Sequence, residues 1–495
     1  MAEVYQQTNQ AEGEQPINRI AIVSVLLVSA FVAVLNQTLL NTALPNIMES
    51  LNVSASTSQW LMTGFMLVNG VMIPITAFLI GKFTTRRLFF TAMTLFTIGT
   101  MVAALAPNFP VLLSGRLIQA SGAGIMMPLM QTVMLMIFPI EKRGTVMGMA
   151  GLVIAFGPAI GPTLSGYLVE EYSWRVPFMV IIPIAIAALM FGAFALKNVT
   201  KQTNPKIDIL SIILSTFGFG GLLYGLSSAG NDGWDSANVY VAVIIGVISL
   251  TSFILRQFRL DKPILEFRVF GNKIYALAAV ISMVVMMSML GAELLIPIYM
   301  QTMRGFTAFE SGLLLLPGAI VMGVMSPITG RIFDKVGARW LAIVGLSIIA
   351  VTTFELSTLT ATTTYTFILV VYAIRMMGIA MVMMPVSTAG LNQLSTEWIP
   401  HGTAMNNTLR TIAGSIGTAL LVTVMTNASK DYVPSSGETK QQIMSNAMIH
   451  GINVAFMVAT IIAIIGIVLS FFIKGKPKSS QDERAAKTEG NLQTN

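Results

Sequence analysis

The sequence predicts an all-α integral membrane protein with fourteen transmembrane helices, and three observations carry that prediction. Only 10% of the 495 residues are charged while 54% are hydrophobic, a surface that water cannot solvate. Apolar runs follow one another along the chain, and each reaches the roughly 20 residues, at about 1.5 Å apiece, that cross about 30 Å of hydrocarbon. The runs lack the period-two alternation of membrane strands and are about twice as long, so they are helices rather than barrel staves.

Taken in order, the spans fall at 19–44; then 58–81 and 87–107, split by Lys82, Arg86 and Arg87; then 109–137 and 144–169, split by Lys142 and Arg143. The sixth, 175–196, ends before Lys197, Lys201 and Lys206, and the next two, 208–228 and 237–256, flank a polar turn at Asn231, Asp232 and Asp235. Arg256, Arg259, Lys262, Arg268 and Lys273 precede 274–303; Arg331, Lys335 and Arg339 separate 309–332 from 339–359. The last three are 363–388, 402–427 and 449–473, after which Lys474, Lys476, Lys478, Arg484 and Lys487 crowd the tail.

The cationic loops alternate with weakly charged ones. Cationic loops resist translocation, so the sequence places them, and both termini, in the cytoplasm of a cell membrane that the chain crosses many times. External loops hold Arg175, Arg304, Lys430 and Lys440, while Arg116, Arg375 and Arg410 lie inside spans. The net charge of +7 is thus a topology signal, and its dispersal over loops argues against a nucleic-acid partner. The polar N-terminus and the long run behind it predict an uncleaved first anchor rather than a signal peptide. With no cysteine and only His401 and His450, no metal site and no cofactor are expected, and no Gly-x-x-x-x-Gly-Lys-Ser/Thr loop is present for ATP. The external stretch 427–450 is expected to lie on the outer surface with a short amphipathic segment at 441–448, and the tail 475–495 to be disordered.

An internal repeat is visible. Pro74-Ile75-Thr76, with Lys82, Thr84 and Arg86, aligns without gaps to Pro327-Ile328-Thr329, with Lys335, Gly337 and Arg339, at an offset of 253; Leu44-Pro45 falls on Ile296-Pro297 at 252. Arg116 and Arg375 form a third pair. The first six spans therefore mirror the last six and the middle two are an insert. The expected organisation is 1–18 cytoplasmic N-terminus, 19–200 first six-helix half, 201–260 two-helix insert, 261–474 second half and 475–495 tail.

Four segments stand out. The loop Gly330-Arg-Ile-Phe-Asp334-Lys-Val-Gly337-Ala-Arg339 carries a carboxylate among cations; its first-half copy has Gly81 in place of Asp334. Arg116-Leu-Ile-Gln-Ala-Ser-Gly-Ala-Gly124 puts a guanidinium in hydrocarbon, at a cost of at least about 2.5–3.5 kcal/mol unless it meets partners or water. Gly157-Pro158-Ala-Ile-Gly161-Pro162 combines close-approach and helix-bending residues. Leu35-Asn36-Gln37-Thr38 and Asn41 to Pro45 add amides to the first span. Together these segments resemble the fourteen-helix drug/proton antiporters of the major facilitator superfamily, among them multidrug and lincomycin-resistance-type efflux proteins, over nearly the whole chain.

The resemblance implies a major facilitator fold, proton-coupled export of small amphipathic or cationic compounds by alternating access, no enzymatic activity, a bacterial cell membrane and function as a monomer. The implied gating residues are Gly330, Asp334, Gly337, Arg339, Lys82, Arg86, Gly157, Pro158, Gly161 and Pro162, the Gly-Pro segment forming a pliant seam where the halves rock. The degenerate first copy places Lys82 and Arg86 beside no carboxylate. Many members carry an acid where this chain has Asn36, and an amide cannot cycle a proton, so coupling must lie elsewhere. Only Glu293 and Glu355 put carboxylates inside apolar runs. Glu293, which the repeat aligns with Asn41, is the expected coupling group, with Arg116 beside it and Glu355 as the alternative. Asn36, Gln37, Asn41, Arg375, Phe31, Phe65 and Phe156 are expected to line the cavity, where abundant methionine suits varied shapes. Simpler structural readings stay open for each: a solvated turn at Asp334, an Arg satisfied by carbonyls, glycines that only pack. A dedicated transporter of one endogenous solute such as a lipid precursor, peptide or amino acid, and a membrane sensor or channel, remain alternative classes.

Overall fold

In the computed structural model the described residues are 18–473, apart from 201, 204, 206 and 435–438, and without the side chains of 41, 42, 55, 56, 162, 230–232 and 308. Among the described residues, 14 helices are long and apolar enough to cross a membrane. They are α1 (Arg19–Leu51), α2 (Ala55–Lys82), α3 (Thr85–Ala104), α4 (Phe109–Ile137), α5 (Arg143–Glu171), α6 (Val176–Ala195), α7 (Ile209–Asp232), α8 (Ala237–Arg259), α9 (Lys273–Ile298), α10 (Ala308–Val336), α11 (Ala338–Glu355), α12 (Tyr365–Leu391), α13 (Ile399–Lys430) and α14 (Lys440–Ser470). The chain ends called 1–18 and 475–495 above lie outside the described residues, save for Asn18.

Several ends differ from the sequence reading for identifiable reasons. The segment 441–448, expected as a surface stretch, is the beginning of α14, because Thr439 and Gln442 form a reciprocal capping box that starts the helix there. Beyond Pro297, α9 widens into a π-turn over Tyr299–Met303. Continuing to Leu51, α1 ends only where Asn52 adopts the left-handed conformation, φ 50° and ψ 52°.

Within α1–α6 the chief packing pairs are α3–α4, α1–α5 and α2–α4, within α9–α14 they are α10–α12, α11–α12 and α9–α13, and α7 packs on α8; the two six-helix sets are called the halves here. Glycines set the close crossings in parallel ways. Gly99 and Gly115 bring α3 onto α4, and Gly345 and Gly378 bring α11 onto α12. Between the halves, α5 and α10 make the most extensive seam. The pseudo-equivalent pair α2 and α13 packs more sparsely, and α7 lies against both of them. Phe219, Leu223, Ala77, Met405 and Ile412 fill that three-helix junction.

The face where α1 begins carries most of the basic side chains and is called the basic face here. On it, Asp208 at the start of α7 grips Arg256 near the end of α8 at 2.7 Å. The Arg256 hydrogen bonds hold the Asp208 carboxyl down at about 2. Gln257 joins the same corner, donating to Ser211 and accepting from the Ile264 amide. On the opposite face, the indole of Trp234 donates to Thr423 of α13 at 2.7 Å.

Candidate functional site

The interior is built from apolar helices, so each polar side chain in it stands out. In the first half, α4 carries Arg116, 1% exposed, whose guanidinium donates to the Asn36 carbonyl of α1 and to Gln119 one turn along, both at 2.6 Å. Gln119 in turn donates to Thr100 of α3 at 2.7 Å. Phe65 of α2 lies against the cation at 4.2 Å from its ring centroid, an attraction that strengthens on desolvation. Arg116, Asn36 and Phe65, read separately in the sequence, thus form one cluster, and Gln119 and Thr100 complete it. Gln119 is legible as the i+3 neighbour of Arg116; Thr100 carries no sequence signal. The guanidinium is held by carbonyl oxygens and an aromatic face, without a carboxylate.

The second half repeats the arrangement with different partners. Arg375 of α12 is fully buried and donates to the Ser288 carbonyl at 2.5 Å and hydroxyl at 2.8 Å on α9, and to Thr353 of α11 at 3.2 Å. Glu293, on α9 beyond Ser288, is within electrostatic reach of Arg375 and of Tyr372, but forms no ion pair with Arg375. Glu293 is half-buried on α9. Arg116 does not lie among the charges that act on Glu293, so the two residues expected to work together belong to different clusters.

Glu355 is exposed at the C-terminal end of α11, which corrects the expectation of an interior carboxylate; the helix ends at that residue, and the chain continues through a short 3₁₀ turn. Among the remaining cavity candidates, Gln37 and Phe31 are half-buried on α1, and Phe156 packs on Gly323 of α10 within the seam between halves. The side chains of Asn41 and Pro162 lie outside the described residues.

At the basic face Asp334 belongs to a helix rather than a loop. It sits in the last turn of α10 and accepts from the backbone amides of Gly144 at 2.7 Å and Thr145 at 2.8 Å, and from the Thr145 hydroxyl at 2.5 Å. A carboxylate thereby caps the N-terminus of a helix in the other half, where the helix dipole favours negative charge. Gly330 faces Gly144 across the seam so closely that a methyl group on Gly144 would sit 2.6 Å from the Gly330 carbonyl oxygen. Gly337 turns the chain into α11 at φ 87°, a conformation that favours glycine. Arg339 is exposed. Arg86 donates to the Ala193 carbonyl of α6 at 2.9 Å, inside its own half, and Lys82 is half-buried. Where the second copy has Asp334, Gly81 accepts from the Thr203 amide of the linker, so the carboxylate cap is built on one side only.

The Gly-Pro segment also departs from expectation. Gly157 and Gly161 pack on Val34 and Thr38 of α1, Thr38 donates to the Gly157 carbonyl at 3.2 Å, and Ser165 donates to the Leu39 carbonyl. The seam with α10 is made by the earlier glycines, Gly144, Gly148 and Gly151. Six residues separate Gly151 from Gly157, and at about 100° per residue that places the two glycine sets on different faces of α5. Pro158 is half-buried on the same stretch.

Two further inter-half contacts close the basic face. Asn407 of α13 donates to Gln131 of α4 at 2.7 Å, and Arg143 donates to Asn392 at 3.0 Å. One turn beyond Asn407 lies Arg410, 6% exposed, a third buried guanidinium.

Comparison with known proteins fits this architecture. Residues 26–418 match the family model described as Major Facilitator Superfamily. The chain is similar to the uncharacterized MFS-type transporter YcnB of Bacillus subtilis, 56% identical over 97% of this chain and 100% of that protein. It is also similar to the lincomycin resistance protein LmrB of the same organism, 44% identical over 94% of this chain and 98% of that protein. Among solved structures, the human organic anion transporter MFSD10 superposes with a TM-score of 0.66 at 13% identity, covering 92% of this chain and 100% of that one. The proton:xylose symporter XylE superposes with a TM-score of 0.62 at 14% identity, covering 94% and 98%. At such identities these two structures speak to the fold alone.

Proposed function

The chain belongs to the major facilitator superfamily of membrane transporters, and from that premise we propose that it exports small amphipathic compounds across the cell membrane in exchange for protons. Glu293 carries the proton. It is the interior carboxylate of the described helices, half-accessible, and it stands near Arg375 without pairing to it. A proton bound there neutralises the site, and one released there leaves a charge that Arg375 stabilises. Asn36, held by Arg116, supplies no second titrating group on α1.

Export by alternating access is supported by the latch geometry: Asp334 on the α5 N-terminus and Gln131 against Asn407 hold the basic face shut, and both contacts must part for that face to open. Both termini lie on the cytoplasmic side in this reading, the protein works as a monomer, and the lincomycin-resistance relatives support toxic compounds as cargo.

The test is export in an efflux-deficient bacterial host. Cells making the protein should survive several unrelated amphipathic compounds at severalfold higher concentration, and a proton uncoupler should remove the protection. In inverted vesicles Glu293→Gln should abolish substrate-induced proton release while the protein remains inserted and monodisperse. Unchanged pH-dependent transport by that variant would overturn the assignment of Glu293.

A further inference from the structure

The interior holds more positive than negative charge, and one of the three buried guanidinium groups lacks visible partners. Arg116 donates to Asn36 and Gln119, and Arg375 to Ser288 and Thr353, although each keeps one buried guanidinium nitrogen without an acceptor. Among the described residues no carboxylate forms an ion pair with Arg410, and its Nη1 is a buried donor without an acceptor. The donor surplus extends around it. Thr403, Asn407 and Arg410 share one face of α13, because residues three, four and seven apart superimpose on a helix. Gln131, fully buried, meets that face through its carbonyl oxygen, which accepts from Asn407, and this leaves the Gln131 Nε2 without an acceptor. The Thr403 hydroxyl is likewise buried and unpartnered. A guanidinium, an amide N–H and a hydroxyl, all more than nine-tenths buried and none facing a carboxylate, form a set short of acceptors rather than donors.

We propose that Arg410 and Gln131 form an anion-recognition subsite at the basic-face floor of the interior, and that the exported cargo consists of amphipathic organic anions. The cationic compounds expected from the sequence do not suit three interior arginines against Glu293. Opening the basic face separates Gln131 from Asn407 and uncovers Arg410 to the compartment from which cargo enters. A carboxylate or sulfonate then takes the two free donors in a charge-assisted pair, while the apolar body of the cargo rests on Met286 of α9, which lies against Gly414 one turn beyond Arg410. The inference rests on the export reading above and names its substrate class.

The test uses the full-length protein in proteoliposomes with an imposed proton gradient, fluorescein as the anionic probe and tetraphenylphosphonium as the cationic one. Fluorescein should be transported. Arg410→Gln should raise its half-saturation concentration at least tenfold, Arg410→Lys should restore most of the affinity, and Gln131→Leu should give an intermediate loss. In detergent, fluorescein should raise the Tm of the wild type and not that of Arg410→Gln, a binding readout independent of transport. Transport of tetraphenylphosphonium with no transport or stabilisation by fluorescein overturns the anion subsite and leaves export standing. If neither probe moves while fluorescein still stabilises the wild type alone, the subsite stands and export fails. No transport and no stabilisation overturn both.

Discussion

Arg116 shows how a charge is kept in a low-dielectric interior without an opposite charge. Two carbonyl oxygens at 2.6 Å and the Phe65 ring replace its hydration. Removing the guanidinium leaves Gln119 and Asn36 with buried acceptors that have lost their donor, each costing about 1–3 kcal/mol. Arg116→Ala should therefore lower the Tm of the purified protein clearly, and Arg116→Lys should recover only part of it because an ammonium lacks the planar face that the guanidinium lays on the Phe65 ring; an unchanged Tm for Arg116→Ala would dismiss the cluster as a stability element. The sequence made Arg116, Asn36 and Phe65 conspicuous, since an Arg, an Asn and a Phe in membrane helices invite attention. It did not reveal that they meet, because contact between α1, α2 and α4 depends on helix rotation that apolar periodicity, nearly uniform around a lipid-bathed helix, leaves open. Glu355 was misread for a related reason: an apolar run includes the residue at its rim.

Among the helices, the spans were legible to within a few residues wherever a cationic loop marked the end, less so for α1, which runs through Pro45 to Leu51, and least so for α14, whose polar first turns look like loop until Thr439 and Gln442 are recognised as a cap. The glycine faces of α5 were legible as glycine but not as two faces. The α5–α10 seam makes a prediction of its own: Gly144→Val should force α5 off α10, since even a methyl carbon there meets the Asp334 carboxylate and Phe333, and spin labels across the basic face should report a population with that face open. Asp334→Asn, which keeps the shape but presents an N–H₂ to one backbone donor, should shift the population the same way to a smaller extent. If neither variant alters the label distance, Asp334 and the glycines are packing alone. At the α7–α8 corner, the Asp208 carboxyl lies below its unfolded value, so its contribution is present above about pH 4 and disappears as the pH falls toward about 2. Asp208→Asn should thus lower the Tm at neutral pH and have little effect near pH 2; equal losses at both would show that charge is not what joins the corner.

At the scale of the molecule the two inter-half seams are unequal. The α5–α10 seam is direct and glycine-lined, whereas α7 stands against both α2 and α13 and is tied to α13 through Trp234 and Thr423. Rocking of the halves should accordingly be lopsided. The chain contains no cysteine, so pairs can be introduced without background labelling. Labels at Glu171 and Phe309, at the opposite-face ends of α5 and α10, should change separation on a pH shift by more than labels at Asp235 and Asn427, where the insert meets α13. Equal changes would remove the strapping role of α7. The closeness of Gly144 and Gly330 carries a historical consequence. Each residue presses on the backbone of the other, so a side chain gained at either position is punished until the facing helix has already shifted. Lineages descending from this chain are thus confined to paired substitutions, and the two positions should vary together or not at all.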